Sequence, residues 1–118
     1  MFEYHCWATV LAHGVEAESA LGRALEARIA ALEEMSRKSF HLTTLNGFYL
    51  SASGQRNHYA GDVLAVFWWL AEQCPTCYGL MYLLGEHPDE DGKYRFKVQR
   101  IAHGRIEYLE DRYFMDLE

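Results

Sequence analysis

Cys74-Pro75-Thr76-Cys77 is the part of this 118-residue chain whose spacing most directly suggests chemistry. A C-x-x-C pair exchanges disulfides when it follows a strand and opens a helix, because the positive end of the helix dipole stabilises the thiolate. It supplies half of a zinc site when two further ligands close the tetrahedron. Here the order is inverted. Cys74 ends a helix-like segment and Cys77 precedes a strand-like one, so the negative end of the dipole works against a thiolate at Cys74. The chain has no second C-x-x-C and no H-x₃₋₅-H; Cys6 with His5, or His58, are the groups that could complete a site in space. The plain reading is two small buried residues, with no metal and no cofactor. A small thiol- or metal-dependent enzyme using Cys74 and Cys77 is the alternative.

The histidines at 5, 13, 41, 58, 87 and 103 are scattered, and no two stand four apart. No serine or cysteine sits in a G-x-S-x-G or similar setting. No catalytic constellation is therefore expected.

The elements that must position any site follow from periodicity. Residues 2–11 alternate, which reads as a strand, and both of its faces carry large groups. Residues 15–36 read as one helix, with Leu21, Leu25, Ile29, Leu32 and Met35 in a single stripe. Glu33 with Arg37 and Glu34 with Lys38 add i,i+4 pairs. Asn46-Gly47 marks a hairpin between strands at about 39–45 and 48–53. A second helix runs from about Asp62 to Gln73, where Pro75 stops it. "YGLMYLLGE" is a near-continuous apolar run and reads as a central strand buried on both faces. "KYRFKVQRI" alternates, and His103-Gly104 turns it into a last strand, "RIEYLE". That turn would set Arg100 opposite Glu107 and Lys97 opposite Glu110. The fold class is α+β: two layers, a mainly antiparallel sheet with two helices on one face, in the order β-α-β-β-α-β-β-β.

Two features remain for binding. On a helical wheel Val63, Val66, Phe67, Leu70, Ala71 and Cys74 point inward, while Trp69 falls among Asp62, Glu72 and Gln73 on the polar arc. Either a loop or the tail of the same chain covers Trp69, or it anchors a partner, where tryptophan is over-represented. The turn "EHPDEDG" carries Glu86, Asp89, Glu90 and Asp91, with Lys93 as its nearby counter-charge. A second acidic group comprises Glu107, Glu110, Asp111, Asp116 and Glu118, interleaved with basic residues.

Composition bounds the rest. The chain is one domain, residues 1–118, and half of it is hydrophobic, enough for a core without staples. Its formal charge of −6 argues against nucleic acid, whose phosphates need clustered Lys and Arg, and permits a basic partner. Glu3 stands where a signal peptide would carry positive charge, and no apolar run approaches the ~20 residues of a membrane helix. Three cysteines, an odd number, suit a reducing compartment. The expected location is the cytoplasm, away from membranes.

Taken in order, "FEYHCWATV", "LNGFYLSASG", "GQRNHYAGDV" and "VFWWLAEQCPTCYGLMYL" resemble the Immunity protein 7 family of bacterial polymorphic toxin systems, contact-dependent inhibition loci among them. The resemblance is carried by His5 and Trp7, by Gly54 with Asn57-His58, by Phe67, Trp69, Ala71 and Glu72, and by Pro75 with Tyr78-Gly79. Cys6 stands where the family pattern has Gly, "PTCYG" replaces a "PGSYG"-like segment, and the tail "DRYFMDLE" lacks the usual proline. The resemblance implies a non-enzymatic inhibitor that binds the C-terminal domain of its cognate toxin stoichiometrically. Many such toxins are basic nucleases, which an acidic surface would steer. The interface candidates are Asn57, His58, Tyr59, Trp69, Glu86, Asp89, Glu90 and Asp91, while His5 and Trp7 are open to a structural role. A weak homodimer through Trp69 is a further reading.

Overall fold

The computed structural model describes residues 1–11, 14–44 and 47–115. Nine elements follow one another: β1 (Phe2–Val10), α1 (Val15–Ala30), α2 (Glu34–Lys38), β2 (Phe40–Thr43), β3 (Phe48–Arg56), α3 (Gly61–Gln73), β4 (Tyr78–Leu84), β5 (Phe96–Ala102) and β6 (Arg105–Glu110). The six strands form one open antiparallel sheet in the order β2-β3-β1-β4-β5-β6. The α+β class and the succession of strands match the sequence reading.

β1 and β4 lie at the centre of the sheet. Phe2, Tyr4, Cys6, Ala8 and Val10 of β1 are all buried beneath the helices, with Leu50 and Ala52 of β3 and Met81 and Leu83 of β4. α3 closes this layer with Val63, Val66, Phe67, Leu70 and Ala71, as its periodicity predicts, and with Leu64, which the predicted arc left out. Cys74, the residue after the helix, is buried as expected. Trp68 completes the contact by donating its indole N–H to buried Gln99 Oε1 at 2.8 Å.

Three expectations need correction. The segment read as one helix is two. α1 ends at Ala30, and Glu33, with ψ of 152°, restarts the chain as the cap of α2. The stripe breaks accordingly: Leu32 packs on the core, while Met35 is exposed. Of the two charge pairs, Glu34–Lys38 forms at 2.7 Å. The gain from the break is visible at Ser36, wholly buried, whose hydroxyl bonds the Asp62 carboxylate and accepts from Arg56 Nη1 at 2.5 Å. A straight helix would not deliver that side chain to the start of α3.

β4, expected to be buried on both faces, is buried on one. Gly79, Met81 and Leu83 are covered, but Leu80, Tyr82 and Leu84 are half-open, because all the helical cover lies on the opposite side. The count of two helices becomes three. The β2–β3 pair forms as predicted, while Asn46 of its turn lies outside the described residues. His103 and Gly104 adopt positive φ of 56° and 74°, the geometry of a two-residue hairpin turn. Arg100 then faces Glu107 and Lys97 faces Glu110, as that turn requires.

Gly79 explains why the centre of the sheet tolerates no side chain there. A Cβ at this position would lie 2.0 Å from the Trp7 carbonyl oxygen and 2.8 Å from the Ala8 Cα. Both are backbone atoms, so the strands themselves would have to part. Gly79→Ala is expected to cost more than about 3 kcal/mol in urea unfolding. A change within about 0.5 kcal/mol, the range of an ordinary surface substitution, would contradict this account of the β1–β4 contact.

Candidate functional site

The loop after β3 and the turn after β4 meet at one end of the sheet, because Gln55 and Leu84 flank the same β1 residue, Glu3. Glu86 joins them. Its Oε1 accepts the Tyr59 backbone N–H at 3.0 Å, and its Oε2 lies 3.3 Å from His58 Nδ1. These bonds hold the Glu86 carboxyl below its ordinary pKa, the Tyr59 N–H foremost and His58 second. A depressed carboxylate keeps its tie above the ordinary carboxylate range and loses it as pH falls through the lowered value. Tyr59, half-exposed, sets its ring edge-on to Phe2 at 5.1 Å, and burial pushes its hydroxyl pKa up.

The acidic turn is not an unbalanced patch. Arg95 Nη1 donates to Asp89 at 3.1 Å, Arg95 Nη2 to Asp91 at 2.5 Å, and Lys97 Nζ to Asp89 at 3.1 Å. Asp91 also accepts the Lys93 backbone N–H at 3.1 Å. The Arg95 fork holds the Asp91 carboxyl down at about 2. The expectation that Lys93 is the nearby counter-charge is therefore corrected: the alternation of β5 brings Arg95 and Lys97 back over the turn. Glu90 stays exposed at its tip.

Seven of the eight candidates thus lie on this loop pair: Asn57, His58, Tyr59, Glu86, Asp89, Glu90 and Asp91. Trp69 does not join them. It is half-buried on α3, with the Arg28 guanidinium 4.4 Å over its ring. It lines a groove of about 580 Å³ with Leu11, Leu21 and Pro75, at the other end of β1. Among the described residues, Arg28 of α1 covers its ring.

The residues that sequence reasoning left aside are on the helix-free face. Trp7 is 44% exposed there, edge-on to Tyr78 at 6.2 Å. Tyr82 and Phe96 pack edge-on at 5.9 Å, and Phe114 returns from beyond β6 to touch both. The signal was present in β1, whose two faces both carry large side chains.

The cysteines are embedded. All three are free and buried. Cys74 donates to the Leu11 carbonyl at 3.2 Å and Cys77 to the Leu70 carbonyl at 3.8 Å. Burial pushes the thiols of Cys6 and Cys77 up to about 12. Among the described residues no group of three or more His, Cys, Asp or Glu side chains converges as a metal site. No helix among them is long and apolar enough to cross a membrane.

The Immunity protein 7 family model matches residues 1–117, essentially the whole chain. The chain belongs to the Immunity protein 7 family. Comparisons with curated proteins and with solved structures returned no match.

Alkylation of the native protein by iodoacetamide at pH 8 tests the reading of the thiols. Cys6 and Cys77 are expected to react about a thousandfold more slowly than a free thiol, whose pKa is ~8.5. Rapid modification of Cys77 in the folded state would restore a thiol-based activity to consideration.

Proposed function

We propose that this chain is a non-enzymatic immunity protein that binds the C-terminal domain of its cognate toxin one-to-one and blocks it. Membership of the Immunity protein 7 family over residues 1–117 carries the reading, since that membership implies protection against a toxin. The buried, carbonyl-bonded thiols favour it over an enzyme built on Cys74 and Cys77. The setting is a polymorphic toxin system of the contact-dependent inhibition type, with neutralisation in the cytoplasm of the protected cell.

The loop pair 57–59 and 86–91 forms part of the toxin-binding surface. Glu86 pre-orders it by tying the two segments together, which lowers the entropy lost on binding. The net charge of −6 favours a basic toxin, as many nucleases are, and speeds the encounter. Because Asp89 and Asp91 are already bridged by Arg95 and Lys97, long-range steering comes from the chain as a whole more than from this turn. Trp69, partly covered by Arg28, is a secondary candidate at the far end.

The test is co-expression with the toxin C-terminal domain encoded beside this chain. Protection from growth arrest and a 1:1 complex at micromolar concentration or below are expected. Failure of both would refute the proposal. Association should also slow as salt rises from about 0.05 to 0.5 M, since screening shortens the reach of the charges.

A further inference from the structure

The helix-free face of the sheet is built as an interface in its own right. Side chains that share it follow from the register. Trp7 stands between Ser51 and Leu80, His5 between Ser53 and Tyr82, and Glu3 between Gln55 and Leu84. Tyr78, 47% exposed, adjoins Trp7 edge-on. Six strands ~4.8 Å apart, each about seven residues long at ~3.3 Å per residue, give a face of roughly 600 Å² in projection. That is on the order of the 800 Å² per partner that a standard protein interface buries, and the loop pair adjoins it at the Glu3 end.

One part of the face selects a charge. Glu3, His5, Tyr82, Phe96 and Phe114 line an open cleft of about 500 Å³. Its wall is aromatic, and its one carboxylate is fixed. Glu3 Oε2 lies 2.7 Å from His5 Nε2, and Glu3 Oε1 accepts from Gln55 Nε2 at 2.7 Å. Asp111 accepts the backbone N–H groups of Tyr113 and Phe114 at 3.0 and 2.9 Å, which shapes the turn that brings Phe114 over the cleft. Ring faces attract cations, and a pre-oriented carboxylate accepts bidentate or charge-assisted bonds from them. An anion would meet repulsion.

We propose that this face is where a basic protein partner docks, with an Arg or Lys of that partner in the Glu3–Tyr82–Phe96–Phe114 cleft and its apolar neighbours on Trp7 and Tyr78. The inference rests on the immunity reading, which makes the partner the cognate toxin domain. A second copy of this chain fits less well. It would bring two bodies of charge −6 together. The cations that β5 and β6 turn to this face, Arg100 and Arg105, already lie 3.8 and 3.6 Å from Glu107. Tryptophan, tyrosine and arginine are also the side chains that dominate binding energy at interfaces.

Binding kinetics with the toxin domain encoded beside this chain decide the matter. Trp7→Ala is expected to raise Kd at least tenfold. Glu3→Gln keeps the shape of the side chain and removes its charge; it is expected to weaken binding several-fold and flatten the salt dependence. Met35→Ala, on exposed α2, is the control and should bind as the unaltered protein does. Should Trp7→Ala lose its cooperative thermal transition, Glu3→Gln still decides. Unaltered protein that binds and protects, with both variants within twofold of it, overturns this inference and leaves the immunity reading intact. Weaker binding by Glu3→Gln with an unchanged salt slope removes the cation from the cleft and overturns it equally. If the unaltered protein forms no complex, both readings fall together. A concentration-dependent dimer abolished by Trp7→Ala would assign the face to a second copy and overturn the proposal.

Discussion

All helical cover lies on one side of a sheet whose central strand β4 is apolar on both sides and whose central strand β1 turns Trp7, beside Glu3 and His5, to the open side. That asymmetry governs the molecule. On the covered side the alternate residues of β1 are buried against α3, and hydrophobic burial there drives folding at about 25 cal/mol per Å² of apolar surface. On the open side the other alternate residues, among them Trp7, Tyr78 and Tyr82, stay in contact with solvent. A strand cannot redirect those side chains, because its period of two fixes them to the second face. β1 and β4 approach closely at Gly79, where an added Cβ would meet the Trp7 and Ala8 backbone.

The polar interactions organise the ends of this frame. Ser36, Arg56 and Asp62 join α2, the end of β3 and the start of α3 in one part-buried, hydrogen-bonded group around the buried Ser36. Glu86 joins the loop after β3 to the turn after β4. Arg95 and Lys97 fold that turn back onto β5. Both outer loops at the Glu3 end are therefore shaped before any partner arrives. Pre-ordering of this kind raises affinity by lowering the entropy lost on docking, without adding contacts.

Much of this was legible in the residues. Alternation placed β1 and β5, turn residues placed β2, β3 and β6, an apolar run placed β4, and the wheel of α3 named its buried arc except for Leu64. The turn at His103-Gly104 predicted the Arg100–Glu107 and Lys97–Glu110 register. What escaped reading has physical causes. The break at residues 31–33 is hidden because Leu32 and Met35 continue the three- and four-residue spacing of Leu21, Leu25 and Ile29 across it. A run such as Tyr78–Leu84 tells that both faces are apolar, not that both are covered, so β4 was assigned to the wrong degree of burial. The same gap concealed the helix-free face: Tyr82 reads as core, and Trp7 as open to a structural role, until the helices are seen to lie opposite them. The loop-pair candidates assembled because β3 and β4 both pair with β1, one on each side, and end beside Glu3. Trp69 lies apart because the C-terminal half of α3 sits at the other end of β1, with Leu11 and Pro75.

The central claim is that the open face, not only its loops, meets the toxin. Hydroxyl-radical footprinting of the protein alone and in complex with the neighbouring toxin domain reads this at individual side chains. The account predicts that oxidation of Trp7, Tyr78 and Tyr82 falls sharply in the complex while that of Met35 does not change. Undiminished oxidation of Trp7 and Tyr82, with protection confined to the helical side, would contradict it.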